Sequence, residues 1–109
     1  MSRLPNAANA GVDDAKARDY LLNPGNVQNR GKAGQFAQYG FTRHGWQELA
    51  QALRAHALMN QVVQTVSSAH GMKYVVQCNL PTPDGRNPCL RSVWIIDIGE
   101  QRPRLVTAY

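Results

Sequence analysis

Three β-rich runs on short turns fill the last third of the chain and limit its fold more than any other feature. Lys73 to Leu80 reads KYVVQCNL, Cys89 to Asp97 reads CLRSVWIID, and Arg104 to Tyr109 reads RLVTAY. Pro81-Thr82-Pro83-Asp84-Gly85 separates the first two. Proline presets φ at a first turn position and Asp-Gly supplies a positive φ, which is hairpin chemistry. Gly99 to Pro103 makes the next turn. The runs therefore predict an antiparallel meander. Gln77, Arg91 and Thr107 interrupt otherwise apolar strands. An unpaired buried guanidinium is strongly unfavourable, so one face of this sheet is predicted to be open and used.

The period of two sorts the side chains. Tyr74, Val76, Cys78 and Leu80 are expected on the helix-packed side, with Leu90, Trp94, Ile96 and Ile98 beside them. Val75, Gln77 and Asn79, then Arg91, Val93 and Ile95, fall opposite. The last strand divides Leu105, Thr107 and Tyr109 from Arg104, Val106 and Ala108. If the smaller set packs inside, Gln77, Arg91, Thr107 and Tyr109 converge on one surface, and a one-residue slip would separate them.

Upstream the period lengthens. Asp13 or Asp14 can cap a short helix through Leu22, which Asn23-Pro24-Gly25 ends. Asn29 to Gln38 is helix-compatible but weakened by Gly31 and Gly34. Gly45 opens the strongest helix, with Trp46, Leu49, Ala50, Leu53 and Ala57 as a core-facing stripe that Leu58, Val62, Val63 and Val66 extend. Helices over about 12–68 and a three- to four-stranded meander over about 72–109 make an α+β architecture, expected to be a single domain over 1–109.

At 109 residues the chain can bury about two-thirds of its unfolded surface, enough for one core. No apolar run approaches the roughly 20 residues of a spanning helix, and MSRLPNAANA lacks the apolar centre of a signal peptide. Nine Arg and three Lys face seven acids, for a net charge of +5. The first 24 residues are neutral, so the surplus lies downstream of Asn29. Arginine favours planar, bidentate contact with phosphate or carboxylate. Acids are too few and scattered for a two-metal nuclease, and there is neither a CxxC, a Cys/His quartet nor a Gly-rich loop after a strand. Neither metal nor cofactor is expected. Cys78 and Cys89 flank the first turn, where they could be bridged if the register places them opposite, or stay free.

A basic domain presenting Arg, Thr and Tyr from a sheet suits metal-independent cleavage of RNA. That reaction needs a base for the 2′-hydroxyl proton, a cation for the charged phosphorane and an acid for the leaving 5′-oxygen. Arg91 is the best phosphate ligand and Thr107 can hydrogen-bond a phosphate oxygen. Tyr109 can stack on a base or donate its proton. Lys32 is the helix-borne candidate for base or electrostatic stabiliser, with Arg30 and Gln77 as substrate contacts. His44, beside Arg43 near a helix start, and His56, next to the apolar stripe, are the candidate histidines; His70 falls in a loop. Thr107 as an ordinary strand residue and Lys32 as a solvated one stay open. A non-enzymatic basic module docking an acidic protein or nucleic acid is the main alternative. A metal-dependent DNase is the weaker one, since Asp97 and Glu100 alone do not make a metal site.

LPNA at the start, YLLNP at Tyr20 to Pro24, GKA around Lys32, the KYVV strand, the TPDGR turn, the RSVWII strand and the closing PRLVTAY together resemble a family of small bacterial domains of unknown function. Those domains occur at the C-terminal ends of polymorphic and contact-dependent growth-inhibition toxins. The layout is similar to the nuclease fold of barnase, EndoU, colicin and RelE-type ribonucleases. The resemblance implies a monomeric toxin domain delivered, as part of a larger secreted or cell-surface effector, into the cytoplasm of a neighbouring bacterium. There it would cleave RNA, with tRNA the expected substrate, and an acidic cognate immunity protein would block it. Lys32 matches the helical basic position, Arg91 the arginine opening the R-S-V-W strand, and Thr107 with Tyr109 the terminal motif. Gly31 stands where the family carries a histidine, which leaves the general base to His44 or His56.

Overall fold

The computed structural model describes residues 3–109, the Asn29 side chain apart. Short 3-10 turns at Ala7–Asn9 and Val27–Asn29 and a π-helical segment at Ala15–Leu21 precede α1 (Lys32–Gln38) and α2 (Trp46–Met59). The chain then forms β1 (Gln61–Ser68), β2 (Gly71–Asn79), β3 (Cys89–Asp97) and β4 (Arg104–Ala108), one antiparallel sheet in the order β1-β2-β3-β4. The architecture is α+β, as the sequence predicts.

The helix through Leu22 is there, but as a π-helical turn. Asp14 makes no capping bond with its side chain; the Asp13 carbonyl accepts from the Lys16 and Ala17 N–H groups instead. In α2, Leu49, Ala50, Leu53, His56 and Ala57 are buried at helical spacing. The helix does not run on to Val66. Asn60 turns to extended backbone, and its side-chain amide donates to the His56 carbonyl at 3.1 Å and the Asn79 carbonyl at 3.0 Å, stopping α2 and tying it to β2. Beyond this cap the β-branched Val62, Val63, Thr65 and Val66 favour a pleated strand, so Gln61–Ser68 is the first strand of the sheet and not the end of a helix. β1 and β2 are joined by a tight hairpin between Ser68 and Gly71. Gly71 is required there: at φ +153°, a Cβ would run into the Ile96 carbonyl oxygen of β3.

The core lies between helices and sheet around Trp94, Phe36, Leu21, Leu49, Leu53, Val76 and Leu80, all fully buried. Tyr74, Val76 and Leu80 of the first predicted run, and Leu90 and Trp94 of the second, pack as expected, whereas Ile98 lies exposed beyond β3. In β4 simple alternation fails. Trp94 pairs with Leu105 and Val93 with Thr107, which leaves Val106 as a bulge. Leu105 and Ala108 are therefore both buried, and Thr107 and Tyr109 flank Ala108 on the other side. The outer edge of β4 is covered by the N-terminal segment: Gly11 donates to the Pro103 carbonyl at 2.9 Å and accepts from the Leu105 N–H at 3.0 Å. The opposite edge, β1, exposes Val63 and Val66.

The turn between β2 and β3 keeps its predicted chemistry. Asp84 accepts from the Arg86 N–H and the Thr82 hydroxyl, and these bonds, backbone first, hold its carboxyl down at about 2.

Candidate functional site

Three positions far apart in sequence meet beside β4. Gly31, at φ +83°, lets the chain enter α1 so that Lys32 opens the helix beside the sheet. Its Nζ donates to Thr107 Oγ1 at 2.9 Å and to the Tyr20 hydroxyl at 3.4 Å. The Tyr20 and Thr107 hydroxyls share a hydrogen bond of 3.1 Å. The same ammonium lies 5.7 Å from the centre of the Tyr20 ring and 5.7 Å from that of Tyr109, within cation–π reach of both. Lys16 lies 5.1 Å from the Tyr20 ring on the π-helical turn.

The phenol of Tyr20 responds to this setting. Burial by itself would raise its pKa. The hydrogen bonds to Thr107 and Lys32 and the charges of Lys32 and Lys16 outweigh burial, so it lies below the ordinary tyrosine value.

Arg91 joins from the next strand. Its N–H donates to the Tyr109 carbonyl at 2.7 Å and its carbonyl accepts from the Tyr109 N–H at 2.8 Å, a directly opposed pair whose side chains share one face. Gln77 is its partner on the other flank, and Arg91 Nε donates to Gln77 Oε1 at 3.2 Å. Gln77, Arg91 and Tyr109 thus form a row across three strands, with Thr107 two residues from its end. Among the described residues neither Lys32, Lys16 nor Arg91 has a carboxylate partner, whereas Arg18, Arg43, Arg86 and Arg104 are each paired with an aspartate. The cluster is therefore a cationic spot whose charge is not neutralised by its own surroundings. It borders a cleft of about 530 Å³ lined by Asp13, Lys16, Tyr20, Asn26, Gln28 and Thr107. A larger cleft of about 660 Å³, between the N-terminal segment, Arg54 and Arg102, shares no residue with the cluster.

Of the residues singled out from the sequence, Lys32, Thr107 and Tyr109 meet directly, and Arg91 and Gln77 continue the row. Arg30 is exposed two residues before Lys32, in left-handed backbone. The histidines stand elsewhere. His44 is exposed in the turn before α2, and among the described residues no hydrogen bond joins it to the cluster. His56 is fully buried. Its Nδ1 meets Ser92 Oγ at 2.8 Å, and its Nε2 lies 2.7 Å from the Cys78 carbonyl and 3.1 Å from that of Leu90. Two carbonyls can only accept, so Nε2 carries the proton and Nδ1 accepts from Ser92, whose oxygen in turn accepts from Trp94 Nε1 at 2.8 Å. Desolvation, only partly offset by the two carbonyls, lowers the His56 pKa. A satisfied, neutral core histidine is out of reach of any substrate. Tyr20 is the residue that sequence reasoning missed: on the apolar side of a short helix it reads as packing, and only the YLLNP motif marks it.

Fold and site together define a class: an α+β domain with a single antiparallel meander that carries an unneutralised lysine–tyrosine–threonine cluster at its last strand. The chain belongs to DUF6883, a family described as a domain of unknown function, whose model matches residues 3–109. Among solved structures it is similar to a chain of the contact-dependent growth inhibition toxin–immunity protein complex from Klebsiella pneumoniae 342. The two share 18% identity and a TM-score of 0.71, over 94% of this chain and 93% of that one. At that identity the likeness establishes a common fold. The comparison with curated proteins returns no match.

Proposed function

We propose that this domain is the toxin module of a contact-dependent growth-inhibition system and acts as a metal-independent endoribonuclease, with tRNA as its substrate. The observation that carries the reading is the Lys32–Thr107–Tyr20 cluster, continued by Tyr109 and Arg91 and free of neutralising carboxylates among the described residues. The structural likeness to a chain of a toxin–immunity complex supports the biological setting.

In the proposed reaction the 2′-oxygen attacks phosphorus, the bond to the 5′-oxygen breaks, and a 2′,3′-cyclic phosphate results. Tyr20 replaces the histidines as the acceptor of the 2′-proton, because it is the titratable group of the cluster held below its usual range. Lys32 and Arg91 stabilise the charge that builds on the phosphorane oxygens. Thr107 accepts from the Lys32 ammonium and donates its one proton to the Tyr20 oxygen, which holds cation and base in place, and Tyr109 protonates the leaving 5′-oxygen. Arg30 and Gln77 contact the RNA beside the scissile phosphate. Delivery into a target cell's cytoplasm as part of a larger effector, and neutralisation by an acidic immunity protein covering this cationic spot, belong to the same reading.

The test is incubation of the purified domain with total tRNA in EDTA. Discrete fragments with cyclic phosphate ends, lost in Arg91→Ala while circular dichroism is unchanged, support the proposal. Intact tRNA, or cleavage that EDTA abolishes, overturns it. Intact tRNA that nevertheless binds the domain would favour the non-enzymatic module.

A further inference from the structure

We infer that the cleft of about 660 Å³ near the start of β4 is a second phosphate-binding site, which holds the backbone of an RNA strand a few nucleotides from the Lys32–Thr107–Tyr20 cluster. The ligand class rests on the reading above, whereas cleavage does not enter the argument. Arg54 of α2 forms one wall, and the N-terminal segment and the β3–β4 turn form the others through Asn6, Asn9, Gln101 and Arg102. Among the described residues no carboxylate lines it.

Reciprocal bonds fix two of these walls to each other. Asn6 Nδ2 donates to the Gln101 carbonyl at 2.8 Å, and Arg102 Nε donates to the Asn9 carbonyl at 2.7 Å. Gly11 makes room for that arginine: a Cβ there would stand 2.5 Å from Arg102 Nη2 and 2.7 Å from its Cζ. The Arg102 guanidinium is thus held in place through one edge, and its two Nη groups keep their donors for a ligand. Arg54 has neither an ion pair nor a hydrogen-bond acceptor among the described residues. Two guanidiniums with unspent donors and no acid beside them select a ligand rich in anionic oxygens.

Position identifies that ligand. The N-terminal segment runs parallel to β4, with Gly11 bonded to the Pro103 carbonyl and the Leu105 N–H. Asn9 and Ala10 line this cleft, Asp13 and Ala15 line the cleft of about 530 Å³ beside the cluster, and only Gly11 and Val12 lie between them. On β4 the path from Arg102 to Val106 is at most about 13 Å of extended chain. A strand with one phosphate at Lys32 therefore reaches Arg54 and Arg102 within a few nucleotides, along the same edge of the molecule. The carboxylates of a partner protein would need no such alignment.

The experiment titrates the domain with a labelled 2′-O-methyl RNA oligonucleotide long enough to span both clefts, which lacks the nucleophilic hydroxyl and stays intact. Fluorescence anisotropy is read at several salt concentrations for the wild type, Arg54→Gln and Gly11→Ala, with circular dichroism as the check on folding. Arg54→Gln should weaken binding about 10- to 100-fold and lower the slope of log affinity against log salt by about 1. Gly11→Ala keeps every charge, yet it should also weaken binding, because its Cβ displaces the Arg102 guanidinium. Wild-type affinity and slope in Arg54→Gln would overturn the inference. So would a loss in Arg54→Gln with none in Gly11→Ala, since that is an effect of net charge and not of a built site. RNA bound through these residues by a domain that leaves tRNA uncut would overturn the ribonuclease reading and leave this one standing.

Discussion

At the scale of single residues, Tyr20 and His56 invert what their types suggest. A tyrosine reads as packing and a histidine as chemistry, yet Tyr20 bonds Thr107 and Lys32 while His56 sits satisfied in the core. For Tyr20→Phe, which keeps the ring and removes the hydroxyl, cleavage should fall about 100- to 10,000-fold and lose its rise with pH, measured from initial rates on tRNA. Wild-type activity in that variant would remove Tyr20 from the mechanism. Arg91→Ala should lower the rate about 100- to 1,000-fold with the thermal midpoint little changed. For His56 the sign follows from its lowered folded-state pKa. The unfolded chain binds the proton more readily, so stability is full above the ordinary value of 6.5 and declines as pH falls below it, until the folded histidine also titrates. Thermal midpoints measured across that window should drop for the wild type and stay flatter for His56→Gln. Neither partnership was legible in the sequence. The hydroxyl of Tyr20 meets a residue 87 positions away and His56 meets Ser92 across 36, so no local spacing announces them.

At the scale of elements, strands β2 to β4 and their turns could be read directly, because alternation and Pro-Asp-Gly chemistry are local signals. β1 could not. Leu58, Val62, Val63 and Val66 continue the helical stripe of α2 well enough to hide the break, and the stop depends on an Asn60 amide that reaches Asn79 on another strand. The bulge was equally hidden, since RLVTAY contains no glycine to mark it. It decides which groups β4 presents. Deleting Val106 should close the bulge and keep both faces, because Thr107 then follows Leu105 directly and points outward while Ala108 stays inward. Activity should therefore survive that deletion, measured from initial rates on tRNA. Lost activity in a folded deletion variant would mean that the bulge does more than set the face. For Gly71→Ala, a strained φ and a clash with the Ile96 carbonyl should cost about 1–3 kcal/mol, read from urea unfolding.

At the scale of the whole molecule, the uneven charge seen in the sequence has a physical counterpart. Carboxylates neutralise Arg18, Arg43, Arg86 and Arg104, while Lys32, Lys16 and Arg91 have no such partner among the described residues. Binding of tRNA should therefore weaken steeply with salt, and each of these cations removed should lower the slope of log affinity against log salt by about 1. Titration at several ionic strengths checks it, and an unchanged slope in Arg91→Ala would place the phosphate contact elsewhere. The cluster also draws on both ends of the chain, with Lys32 and Thr107 separated by 75 positions and Tyr20 and Thr107 by 87. Contacts of that span are closed only once the chain has collapsed into its final topology. An unfolded copy holds every reactive side chain and none of their arrangement. On the proposed reading, catalysis should therefore be absent for as long as the polypeptide is held extended and return only once it has refolded.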